Sequence, residues 1–212
     1  MKEIYKKIAW INFKQRFLPG VLIDLFLFIC WVNDSGVHSY DIEEIYINAF
    51  FAFFVIFGFL CWFPYLSGLY MFRFMRSMKK YKISKKELAA DMANAIDIGK
   101  RTASIGDKYI VIYAIFPNVI PLDYLVWVRG IDTAPNGNIK AGNTTSVGRI
   151  VLYDRYKSKS YIFLPKERTS WHEKNVIVSK APHIIWGNSD ALESRAKYNF
   201  DDMVIEVREK KK

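Results

Sequence analysis

Residues 45–72, IYINAFFAFFVIFGFLCWFPYLSGLYMF, carry no charged side chain over 28 positions. As a helix the stretch would be about 42 Å long at 1.5 Å per residue, more than the ~30 Å hydrocarbon core of a bilayer. Buried helices of water-soluble domains rarely run past ~20 residues without a charge, so the pattern predicts a transmembrane helix. The rest of the chain is read around that expectation.

With 212 residues the chain has room for one anchor and one modest domain. Hydrophobic residues make up 51% and aromatics 17%, and much of the excess lies inside the charge-free stretch. The net charge of +10 is unevenly spread. Lys2, Lys6, Lys7, Lys14 and Arg16 gather at the N-terminus, and Arg73, Arg76, Lys79, Lys80, Lys82, Lys85 and Lys86 follow the apolar run without an intervening acid. Charge at the flanks of apolar segments argues against a nucleic-acid partner.

Residues 2–16 place Ile4, Ile8 and Ile11 at helical spacing among lysines, the pattern of a short helix lying on a membrane surface. Residues 17–32, FLPGVLIDLFLFICWV, form a second apolar run, about 24 Å long if helical, read as a first transmembrane helix, with a re-entrant or interfacial segment as the alternative. The connection at 33–44 holds Asp34, Asp41, Glu43 and Glu44 and no Lys or Arg. By the positive-inside rule that loop faces out and both termini are cytoplasmic, which makes the chain a multi-pass protein of the cytoplasmic membrane. No small-x-small cleavage site follows the first run, so a signal peptide is not expected.

Asp24 would sit near mid-membrane, where a carboxylate costs at least a few kcal/mol unless paired or neutral. It is either a proton or ion site, or an anchor for a partner's basic group, or a protonated acid hydrogen-bonded within the hairpin or between copies. Cys30 and Cys61 would lie at different depths and remain free thiols. Pro64 is expected to kink the second helix, with Trp62, Tyr65 and Tyr70 forming an aromatic belt. The basic flank at 73–83 then reads either as a topology signal or as a site where Arg73, Arg76, Lys79 and Lys80 recruit anionic lipid head groups.

A domain is expected over residues 84–212. Ser84 and Glu87 have capping-box spacing, Leu88, Met92, Ala95 and Ile96 form one face, and Gly99 supplies a stop, which predicts a leading helix over 84–98. From Gly106 on, GDKYIVIYAIF, NVIPLDYLVWVRGI, SVGRIVLYDRY, KSYIFLP and NVIVSK are rich in β-branched and aromatic residues and bounded by turn formers. A long polar loop is expected at 132–146 and a basic turn at 154–160. Residues 189–197 and the stretch after Asn199, with Met203 and Val207 on one face, read as helices. Meandering strands without helices between them predict an antiparallel sheet or small barrel.

No catalytic signature stands out. His38, His172 and His183 lack partners at metal-ligand spacing, and no nucleophile elbow, phosphate loop or dinucleotide fingerprint occurs. Asp201 and Asp202 read as first-turn helix acids. Neither enzymatic activity nor a cofactor is expected. Trp127 with Arg129 in LVWVRG, Trp171 beside His172, and Trp186 in PHIIWGN are the conspicuous side chains. Strand alternation puts Leu125, Trp127 and Arg129 on one face and Val126 and Val128 on the other, so Trp127 either offers a stacking surface or covers the end of a barrel.

The segments GDKYIVIY, VIPLDYLVWVRG and APHIIWGNSDALE resemble a family of uncharacterised bacterial membrane proteins, a domain-of-unknown-function family. The resemblance implies two transmembrane helices and a cytoplasmic domain similar to pleckstrin-homology-like barrels with a terminal helix, and it carries no catalytic residues. The expected fold is thus an α+β membrane protein, a helical hairpin followed by a mostly antiparallel, PH-like small barrel. The expected function is a non-catalytic module that presents this domain to a protein or to anionic lipid, with Trp127, Arg129 and Trp186 as its binding surface. The alternative is a small transporter or channel subunit whose copies assemble around Asp24.

Overall fold

The computed structural model describes residues 1–34, 52, 55–56, 58–60, 63, 65–99, 101–113, 117–131, 149–164 and 170–211. The chain divides into two compact units, Lys2–Arg73 and Phe74–Lys212.

The first unit opens with helix α1, Lys2–Asn12, which buries Ile4 and Ile8. A π-helical turn, Phe13–Phe17, carries the chain directly into α2, Leu18–Asp34. Pro19 accounts for the widened turn: it has no N–H to donate and its ring would strike the carbonyl four residues back. Phe13 and Phe17 pack at 5.2 Å from each other and at 5.8 and 5.1 Å from Tyr65.

The transmembrane hairpin is corrected here. Helix α2 holds 17 residues, about 26 Å of axis, short of the ~20 residues a span needs. Of the second expected span, residues 45–51, 53–54, 57, 61–62 and 64 lie outside the described residues, Cys61 and Pro64 among them. The helix does not run on to residue 72. Gly68, at φ 72°, takes the left-handed conformation that ends a helix, and the hydroxyl of Ser67 donates to the Phe63 carbonyl at 2.8 Å. Among the described residues no helix is long and apolar enough to cross a membrane. The multi-pass placement with both termini cytoplasmic rested on those spans and falls with them.

The second unit is α+β. Helix α3, Phe72–Lys80, leads through Lys82, at φ 55°, to α4, Lys85–Asp91, whose N-cap Ser84 accepts the Glu87 N–H at 3.1 Å. The expected helix over 84–98 is α-helical to Asp91, whose carboxylate takes the N–H groups of Asp107, Lys108 and Tyr109, each at 3.0 Å, and ends in a 3₁₀ turn, Met92–Asn94. The chain then turns to strand. β1 (Ile96–Ile98), β2 (Ala103–Ile105), β3 (Tyr109–Ile112) and β4 (Asn118–Pro121) form an antiparallel sheet in sequence order. Gly99 does not end a helix; at φ 58° it turns the β1–β2 hairpin.

A 3₁₀ turn, Leu122–Tyr124, moves the chain to a second sheet of β5 (Leu125–Ile131), β6 (Arg149–Asp154), β7 (Lys159–Phe163) and β8 (Ile185–Trp186). Its order is β7-β6-β5-β8, with β8 parallel to β5 and the other pairs antiparallel. The single expected strand NVIPLDYLVWVRGI is therefore two strands in two sheets. Pro121, lacking an N–H, suits the last position of the edge strand β4. Among the described residues the two sheets stay separate, so the expected PH-like small barrel is corrected to a pair of four-stranded sheets. The expected strand NVIVSK is the second half of helix α5, Ser170–Lys180. Two helices finish the chain, α6 (Asp190–Tyr198) and α7 (Phe200–Glu209). The loop at 132–146 lies outside the described residues.

Both sheets feed one aliphatic core. Ile98, Ile105, Ile110, Ile112 and Ile120 meet Leu125, Val128, Ile150, Leu152 and Ile162, with Ile177 of α5 and Ala181 just after it closing the cluster. Each such Ile, Leu or Val side chain contributes roughly 1.5–3 kcal/mol when fully buried. A second cluster on the other face of the second sheet joins Val126, Trp127, Val151, Tyr153 and Ile185 to Ala196 of α6 and Phe200, Met203 and Val207 of α7. The register of β5 against β6 shifts between Leu125 and Trp127. That bulge breaks strict alternation, so Val126 and Trp127 share the outer cluster while Leu125 and Val128 share the inner one.

Candidate binding surface

Helix α3 is strongly two-sided. Phe74, Ser77 and Met78 are buried, and Tyr81, one turn on, continues the same face. Polar groups fix that face in register. The Ser77 hydroxyl bonds to Asn118 Oδ1, and Asn118 Nδ2 donates to Ser160 Oγ at 2.7 Å, so a chain of buried hydrogen bonds links α3 to β4 and β7.

Asp154 is the second fixing point. It ends β6, is fully buried, and its Oδ1 accepts the N–H groups of Tyr156 at 2.9 Å and Ser158 at 2.8 Å, shaping the turn into β7. Its Oδ2 takes the Tyr81 hydroxyl and the Lys80 ammonium, the latter at 3.0 Å. Burial, reinforced by the hydrogen bond to this carboxylate, pushes the Tyr81 phenol well above its ordinary range, so it remains a donor at any physiological pH. Sequence reasoning passed over both residues. The available signals were the 74, 77, 78, 81 periodicity and an Asp opening a turn.

With the inner face held, the outer face is positioned by default. Arg76 and Lys79 point outward from α3, and Lys82, Lys85 and Lys86 follow. All five are exposed, and none forms an ion pair with a described residue. Of the expected lipid-facing residues, Arg76 and Lys79 belong to this surface, Arg73 belongs to the other unit, and Lys80 is committed to Asp154.

The other sequence-derived candidates are drawn into the fold. Trp127 is 1% exposed, its ring stacks on Tyr153 at 4.4 Å, and its Nε1 donates to the Gly187 carbonyl at 3.0 Å. Arg129 donates from Nε to Asn188 Oδ1 at 2.7 Å and pairs with Glu193. Trp186 packs partly buried against the aliphatic core. Asp24 is half-buried on α2, packed so closely that a methyl group at Gly58 would overlap its carboxylate. His183 is buried with Nε2 at 3.2 Å from the Leu122 carbonyl, and desolvation pulls its pKa below the ordinary value. Cys30 is a free, exposed thiol. Among the described residues no three His, Cys, Asp or Glu side chains gather as a metal-binding group.

No protein-family model, no curated protein and no solved structure matches this chain. The reading of the surface therefore rests on its own geometry.

Proposed function

We propose that the chain is a non-catalytic binding module that offers the cations of α3 and the segment after it to anionic lipid head groups. The observation that carries this reading is the exposure of Arg76, Lys79, Lys82, Lys85 and Lys86 without a described ion-pair partner, beside a helix face locked by Ser77, Lys80 and Tyr81. Charges that pair with no described residue are available to an external anion, and each Lys or Arg near an acidic lipid surface contributes about 1 kcal/mol. Arg76 and Lys79, held on a helix whose inner face is fixed, keep most of their gain, because little order has to be imposed on binding.

Sedimentation with vesicles of acidic or neutral lipid tests this. The full chain binds acidic vesicles more tightly than neutral ones, and the preference shrinks as salt rises. Replacing all five residues with Gln removes the preference, a loss of about a hundredfold or more. If the variant keeps the preference for acidic vesicles, the reading is wrong. If the wild type shows no preference but binds an acidic polypeptide through the same five residues, the partner is protein instead.

A further inference from the structure

A cavity of about 410 Å³ opens beside Tyr81, within the ~300–1,000 Å³ range of small-molecule sites. One side is the 3₁₀ turn with Asp123 and Tyr124, and another is α7 with Val204, Val207 and Arg208. Its charges do not balance. Among the described residues of the lining Asp123 is the single carboxylate, and Lys211 already occupies it, donating to Oδ1 at 2.8 Å and to the Asp123 carbonyl at 2.7 Å. That hydrogen bond holds the Asp123 carboxyl below its ordinary range. Arg155 and Arg208 are left over, and neither forms an ion pair with a described residue.

Arg155 is oriented in advance. Its guanidinium lies 3.4 Å from the ring centre of Tyr124 and 4.9 Å from that of Tyr156, and Nη2 donates to the Tyr156 hydroxyl at 2.8 Å. Stacking fixes the plane of the fork and leaves its remaining N–H donors directed along the edge, the geometry that recognises phosphate or carboxylate oxygens. Tyr81 and Tyr109 add flat, uncharged phenol faces, since burial pushes both hydroxyls above their ordinary range.

We propose that this cavity binds a small phosphomonoester attached to a flat ring. Two uncompensated guanidinium groups match a phosphomonoester, which carries about −1.5 to −2 at pH 7, better than a single carboxylate. The tyrosines and valines take the ring, which gains area burial and ring-to-ring contact. This site uses none of the five cations assigned to lipid, so the two proposals stand or fall separately.

Calorimetric titration of the full chain with phenyl phosphate, inorganic phosphate and benzoate tests the assignment. Phenyl phosphate binds at least about tenfold more tightly than either of the other two, because only it supplies both dianion and ring. Arg208→Gln, on the exposed side of α7, weakens phenyl phosphate about tenfold or more, as does Arg155→Gln. The five-Gln variant of the lipid surface binds it as the wild type does. Benzoate binding as tightly as phenyl phosphate, or an Arg208→Gln variant with unchanged affinity, overturns the proposal.

Discussion

The strip of Trp127, Arg129 and Trp186 and the segment from Arg76 to Lys86 are both rich in groups suited to gripping a partner, yet folding leaves them in opposite conditions. In the strip, the indole N–H is spent on Gly187, the guanidinium on Asn188 and Glu193, and the rings on Tyr153 and the core. In the segment, Lys80 is spent on Asp154, while the other five cations are exposed and pair with no described residue. A conspicuous side chain is thus a poor guide to binding. What matters is whether its charge and donors are still unmatched once the fold is complete.

Substitutions can break or sharpen this contrast, and the largest effect belongs to the strip. Trp127→Ala is expected to cost about 3–5 kcal/mol in urea unfolding, through the lost ring and the Gly187 carbonyl left without its donor. A cost below 1 kcal/mol would mean the indole is not core. Asp154→Ala comes next, at about 1–3 kcal/mol, because the Tyr156 and Ser158 N–H groups and the Tyr81 hydroxyl lose their acceptor. It also releases Lys80, which should then react faster with amine reagents.

A smaller effect comes with pH. The His183 pKa is lowered in the folded protein, so below about 6.5 the unfolded chain binds the extra proton first. Stability therefore falls as pH drops below 6.5, down to the folded value, and His183→Gln should remove that part of the slope. Arg129→Gln ranks lower still, at about 0–1 kcal/mol, since its partner Glu193 is partly exposed. Replacing the five segment cations with Gln should leave stability within about 0.5 kcal/mol while removing the preference for acidic vesicles.

Parts of this arrangement were legible in the chain. Ser84 caps α4 as its spacing to Glu87 predicts, and Met203 and Val207 lie on the buried face of α7. Most strand segments after Gly106 follow their β-branched composition. Other features depend on distant partners that no local pattern contains. Val176, Ile177 and Val178 favour strand by propensity, but the fold takes Ile177 into the core from a helix. The helix expected to reach residue 98 is α-helical to Asp91, which captures three N–H groups from the β2–β3 turn and the start of β3, 16 to 18 residues ahead. The bulge in β5 moved Val126 beside Trp127, which a period of two cannot express. Hydropathy read 17–32 and 45–72 as continuous spans, whereas helix length and the left-handed turn at Gly68 are set by backbone geometry that a count of apolar residues does not register. The buried Asp154 and the cavity cations were hidden in what read as an ordinary basic turn and a helical tail.

Amine-reactive labelling of the full chain, followed residue by residue with and without acidic vesicles, tests most directly whether the segment's charge is unspent. In the free protein, Lys79, Lys82, Lys85 and Lys86 should label faster than Lys80, and acidic vesicles should protect those four in particular. Equal labelling of Lys80 and its neighbours, or protection spread evenly over Lys174, Lys197 and Lys210, would contradict the account.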